Sequence, residues 1–200
     1  WESDTAPYWG ASLAAIAVAK APDGYATSPE VAANLEALRA YLRTAYTKEA
    51  SLFTRMTVLW ADSHLHGVLE AGQRQATIDQ LLAVQSEDGG WSLKRLSSWR
   101  RRDGSEIADV SDGFATAMIT TVLQDAGLPA KGRPMAAARR WLVAHQDREG
   151  GGLPATSINK LREPTADAYL FMTDAATGFA TLALSDTLSP PAPAGSGRRK

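Results

Sequence analysis

Two hundred residues with 44% hydrophobic content suffice for one globular domain with a sizeable core. The net charge of −1 gives no general attraction for nucleic acid or an anionic membrane, and no uninterrupted apolar stretch reaches the roughly 18–20 residues that a spanning helix needs. With no Cys and only three His, these residues hold no thiol nucleophile, no cysteine zinc cluster and no c-type haem attachment.

In chain order, residues 8–17 open with Tyr8 and Trp9 and continue in small apolar residues, which predicts a helix buried on most sides. Ser28-Pro29-Glu30 reads as a helix start, with an N-cap residue, Pro at the first helical position and acid in the first turn, and predicts an amphipathic helix over 30–46. Residues 53–64 form a second apolar helix carrying Arg55, Trp60 and His64, and 76–85 a second amphipathic one. Residues 111–119 and 134–145 repeat that alternation, and 174–183 close it, with Asp112 and Asp174 placed as capping carboxylates. His64 and His66 point to different helix faces and make a poor metal pair. No run of alternating β-branched residues predicts a strand, so the chain reads as all-α.

The segment Gln85-Ser-Glu-Asp88-Gly89-Gly90-Trp91 follows the second amphipathic helix, and Gln146-Asp-Arg-Glu-Gly150-Gly151 follows the third. Aligned on Gln, Gly89 meets Gly150 and Gly90 meets Gly151, and Gly152 stands where Trp belongs. Paired glycines tolerate the positive φ needed past a helix C-terminus, and a Gln amide satisfies backbone groups there. This is the signature of an array of helical hairpins.

Gln85 to Trp91 resembles the Q-W repeat of squalene-hopene cyclases and their relatives, and the order of motifs resembles bacterial squalene-cyclase-like repeat proteins. The resemblance implies an α/α toroid, here partial, with about seven helices alternating between inner (8–17, 53–64, 111–119, 174–183) and outer positions over a domain of residues 1–188. Residues 189–200 are Pro/Gly-rich with a basic end and are expected to be disordered. In the family a central Asp of an Asp-x-Asp-Asp motif protonates the substrate. The nearest match is Asp109-Val-Ser111-Asp112, where Ser111 replaces the donor, and the small-residue helices give little of the family's aromatic lining. The resemblance therefore implies a non-catalytic binding or scaffold module; the alternative is a class II terpenoid cyclase or prenyl-lipid-processing enzyme whose acid lies in N-terminal sequence outside this chain. It also implies export, a haem held by upstream sequence, and a ring completed by upstream residues or by a protein partner, with an apolar ligand as a further occupant. Tyr8, Trp9, Arg55, Trp60, Asp109, Asp112 and Asp174 are the candidate cavity residues. Trp99-Arg100-Arg101-Arg102 and Asn159-Lys160 with Arg162 are candidate partner contacts.

Overall fold

The computed structural model describes residues 6–49 and 51–185. These are all-α, as predicted: α1 (Ala6–Ala19), α2 (Ala32–Lys48), α3 (Leu52–Leu65), α4 (Ala71–Ala83), α5 (Gly113–Asp125), α6 (Arg133–His145) and α7 (Asp167–Ser185). None of these helices is long and apolar enough to cross a membrane. The Pro/Gly-rich segment 189–200 lies outside the described residues.

Two of the predicted helix starts are displaced, each for a local reason. Ser28 does not cap α2: residues 28–31 close a turn in which the Val31 N–H donates to the Ser28 carbonyl at 3.2 Å, and α2 starts after it. Thr173 and Asp174 do not open α7 either. That helix begins at Asp167, shortly after Pro164, because Ala-Tyr-Leu-Phe-Met between Asp167 and Thr173 continues the helical pattern. Asp174 thus sits on an exposed face in the helix interior. A third helix, α4, starts five residues ahead of its predicted position because Glu70 and Gln73 form a reciprocal capping box, with the Glu70 N–H donating to Gln73 Oε1 at 3.0 Å.

The helices pack in a simple order. α1 lies against α3, α3 against α5, and α5 against α7, so the odd-numbered helices make a continuous row. Behind it, α2 packs on α1 and α3, α4 on α3, and α6 on α5 and α7. The helices in the middle of the row are buried on nearly every side, as their composition requires: Met56 to Asp62 in α3 and Ala115 to Leu123 in α5 are all buried. The ends of the row are not. Leu13 on α1 and Leu170, Phe171 and Leu182 on α7 stay exposed.

The Gly-Gly turn locks α4, α5 and α6 together. Trp91 is fully buried; its indole N–H donates to the Leu81 carbonyl at 2.7 Å and its backbone N–H donates to Thr116 Oγ1 at 2.9 Å. The Gln85 amide donates to the Gly89 carbonyl at 2.8 Å and to the Pro134 carbonyl at the start of α6 at 3.0 Å. Gly89 has φ of 95°, and a Cβ there would lie 2.9 Å from the Ala137 backbone, so two constraints demand glycine.

The second turn corrects the alignment made on sequence. The Ser86 N–H closes on the Gly90 carbonyl in the first turn, whereas the Asp147 N–H closes on the Gly152 carbonyl in the second, one residue further along. Gly151, not Gly150, takes the positive φ of Gly89, at 72°. The Leu153 N–H then donates to Thr177 Oγ1 at 2.9 Å, matching the Trp91–Thr116 bond. Leu153 therefore occupies the place of Trp91 and is buried, and Gly152 corresponds to Gly90. One inserted residue hid the match, because fixed spacing was counted from the Gln.

Candidate functional site

Two places collect the chemistry-bearing side chains. The first is a row of aromatic rings running across all four odd-numbered helices. Trp99 meets Phe53 at 5.3 Å between centroids, Phe53 meets Trp9 at 5.9 Å and Trp9 meets Trp60 at 6.2 Å. Trp60 then meets Phe179 at 5.6 Å, and Phe179 meets Phe114 at 5.5 Å, edge to face. All but the buried Trp60 are partly exposed, resting on the main core with one side left open. Each such pair adds about 0.5–1.5 kcal/mol beyond its burial.

Helical geometry places the row on the side away from the second layer. Phe53 and Trp60 are seven residues apart and share one stripe of α3. Arg55, two residues from Phe53, is on the opposite stripe, where its guanidinium lies 5.6 Å over the Tyr46 ring of α2 and donates to Gln80 Oε1 of α4 at 3.3 Å. Arg55 is thus a packing residue between layers and does not join the row. Tyr8 also turns to the second layer, meeting Tyr41 of α2 at 5.5 Å. The small residues of the first-layer helices let rings from α3 and α7 meet across α5, with one or two rings from each helix in the row.

Midway along the row, Asp125 at the C-terminus of α5 accepts from the Trp60 indole N–H at 2.9 Å and pairs with His64 Nε2, also at 2.9 Å. His66 stands exposed just past α3, with a positive φ of 51°. Among the described residues no group of three or more His, Asp or Glu could hold a metal ion.

The second place is a cavity of about 320 Å³ at the N-terminal end of α5, bounded by the C-terminal end of α6, the 154–162 loop and the start of α7. Asp112 forms one wall and is a true N-cap. Its Oδ1 accepts the Ala115 N–H at 2.8 Å and its Oδ2 accepts the Thr156 N–H at 2.5 Å. Burial pushes its carboxyl above the usual range, and the N–H donors of Ala115 and Thr156 work against that. Ser111 donates to Asp88 Oδ1 at 2.8 Å, and Asp88 also accepts the Gly90 N–H at 2.9 Å and, on Oδ2, the Trp141 indole N–H at 3.0 Å. Burial pushes the Asp88 carboxyl up, but these three donors outweigh it and hold the group below its ordinary value. Asp109 is outside the cavity, exposed and paired with Arg95 at 2.8 Å.

The two loops proposed as separate partner contacts are stitched to each other. Arg101 Nε donates to the Ser157 carbonyl at 2.8 Å, the Arg102 N–H donates to the Asn159 carbonyl at 2.7 Å, and Asp103 Oδ2 accepts the Leu161 N–H at 2.8 Å. The Asp103 carboxyl is held down to about 2, chiefly by the Ser105 hydroxyl and then by the Ser105 and Leu161 N–H groups. Arg100, the Arg102 side chain and Lys160 remain exposed, while Trp99 is drawn into the aromatic row. Sequence reasoning missed Arg139. It is buried, donating from Nε to the Ala183 carbonyl at 3.1 Å and from Nη2 to Gln124 Oε1 at 2.6 Å, and so ties α6 to α5 and α7. A long charged side chain on an amphipathic helix gives no sign of burial in sequence. Compared with protein-family models, curated proteins and solved structures, the chain matches none of them.

Proposed function

We propose that this chain is a non-catalytic binding module, an arc of an α/α toroid whose open first-layer face holds an apolar ligand. The observation that carries this reading is the continuous chain of six rings from Trp99 to Phe114, five of them partly exposed around the buried Trp60. Partly exposed aromatics in series offer a large, stiff apolar surface to an elongated hydrocarbon at little entropic cost. Ser111 and Asp112 speak against acid catalysis: the serine hydroxyl is spent on Asp88, and both Asp112 oxygens accept backbone N–H groups. Export, an upstream haem and a partner that extends the row of helices belong to the same proposal and rest on the resemblance to squalene-cyclase-like repeats.

The test is calorimetric titration with a polyprenyl alcohol such as geranylgeraniol. Binding should occur and should weaken at least about tenfold in Phe179→Ala. Absence of binding, or equal binding by the variant, overturns the reading. One observation favours a second reading: aromatic faces stabilise carbocations, so an acid supplied from other sequence would make the same row a cyclase lining. Cyclised product from squalene or geranylgeranyl diphosphate would establish the enzyme and refute the non-catalytic module.

A further inference from the structure

The cavity beside Asp112 contains cations that no part of the aromatic reading uses. Arg101 and Arg162 both line it, as do His145 and Tyr169. Arg162 Nε is buried and has no hydrogen-bond partner among the described residues. Neither guanidinium forms an ion pair among those residues. The carboxylates nearby are already engaged: Asp112 by the Ala115 and Thr156 N–H groups, and Asp103 by Ser105 and the Leu161 N–H. Arg101 is held rigid, with Nε on the Ser157 carbonyl and Nη1 on the Glu106 carbonyl, both at 2.8 Å. His145 stacks on Trp141 at 4.0 Å and its Nδ1 donates to the Trp141 carbonyl at 2.8 Å, which fixes the ring at the cavity edge.

A buried guanidinium N–H without an acceptor is costly; Arg55 Nε shares that state, but only Arg162 lines a cavity together with a second guanidinium. The volume suits a small polar head and is far too small for a folded partner. We propose that this cavity binds an oxyanion, a carboxylate or phosphate group, with Arg162 as its principal donor and Arg101 as the second cation. Guanidinium forks match both groups bidentately, and a rigid first cation lowers the ordering cost of the second. This site is independent of the aromatic face, and either stands if the other falls.

The experiment follows the Arg162 Nε–H and Tyr169 amide NMR signals of the full chain during titration with inorganic phosphate and, separately, with acetate, at fixed ionic strength with chloride as the compensating anion. Saturable shifts of the Arg162 signal with either anion support the site, and the anion giving the tighter curve names the group. Arg162→Gln should weaken the tighter of the two at least about tenfold, and Arg162→Lys, which keeps the charge but loses the fork, should fall between. No saturable shift in the wild-type chain overturns the proposal, and so does unchanged affinity in a folded Arg162→Gln. The wild-type titration decides the matter if that variant fails to fold.

Discussion

Replacing Asp88 by Ala removes the acceptor on which three elements converge. The Gly90 N–H, the Ser111 hydroxyl and the Trp141 indole N–H all donate to its carboxylate, which thereby joins the turn, the start of α5 and the end of α6. Gly90 and Trp141 are buried, and each donor left without a partner costs about 1–3 kcal/mol. Ser111 is only half-buried and rotates its hydroxyl to water, so it adds little. Because water reaches the exposed carboxylate side of Asp88, the low end of each range applies, and the sum is about 2–3 kcal/mol. Urea unfolding at neutral pH, followed by far-ultraviolet dichroism, reads this as a lower midpoint at unchanged slope. Asp147→Ala is the internal control: Asp147 accepts only from Gly150 and Glu149 within its own exposed turn, so its loss should cost less than about 1 kcal/mol. A loss below about 0.5 kcal/mol for Asp88→Ala, or equal losses for the two variants, would refute the view that the first turn is a three-way junction and the second a local one.

Other predictions follow from the same geometry. Leu153→Ala should destabilise by about 2–5 kcal/mol if Leu153 stands in the place of Trp91, and a loss under about 1 kcal/mol in the same urea assay would return the second turn to the spacing counted from Gln146. Gly89→Ala meets both a φ of 95° and the Ala137 backbone at 2.9 Å, so it should lower stability by more than about 1 kcal/mol, whereas Gly72→Ala, with open space around its Cβ, should not lower it. Asp103 supplies a pH test. Its folded value of about 2 lies below the ordinary 3.8, so its contribution is present above 3.8 and is lost as pH falls from there through about 2. Asp103→Asn should flatten the fall of the urea midpoint across that window, and an unchanged slope would remove Asp103 as its source.

The helical order, the alternation of apolar and amphipathic helices and the first Gly-Gly turn were legible because each rests on local chemistry: periodicity, a cap, a positive φ. The Asp112 cap was legible for the same reason. Asp174 was misplaced because a capping residue before an apolar run looks the same whether the helix starts there or seven residues earlier. The second turn was misaligned because one inserted residue shifts every later match while the hydrogen bonds stay in place. Trp9, Trp60 and Trp99 were each noticed, but their union with Phe53, Phe114 and Phe179 depends on which helices lie side by side, and spacing within one helix carries no record of that. Arg55 and Tyr8 went astray for the complementary reason: adjacent large residues on one helix face different layers. The cation pair of Arg101 and Arg162 was split between two loops in sequence and is joined through the Ser157 and Asn159 carbonyls and the Leu161 N–H bond to Asp103.

The central claim is that the aromatic row is a binding face, and intermolecular nuclear Overhauser effects test it most directly. With geranylgeraniol bound, contacts should run from its methyl groups to the rings of Trp9, Trp60 and Phe179 together, on one ligand molecule. Contacts confined to the exposed Leu170 and Phe171 of α7, or none at all, would contradict it.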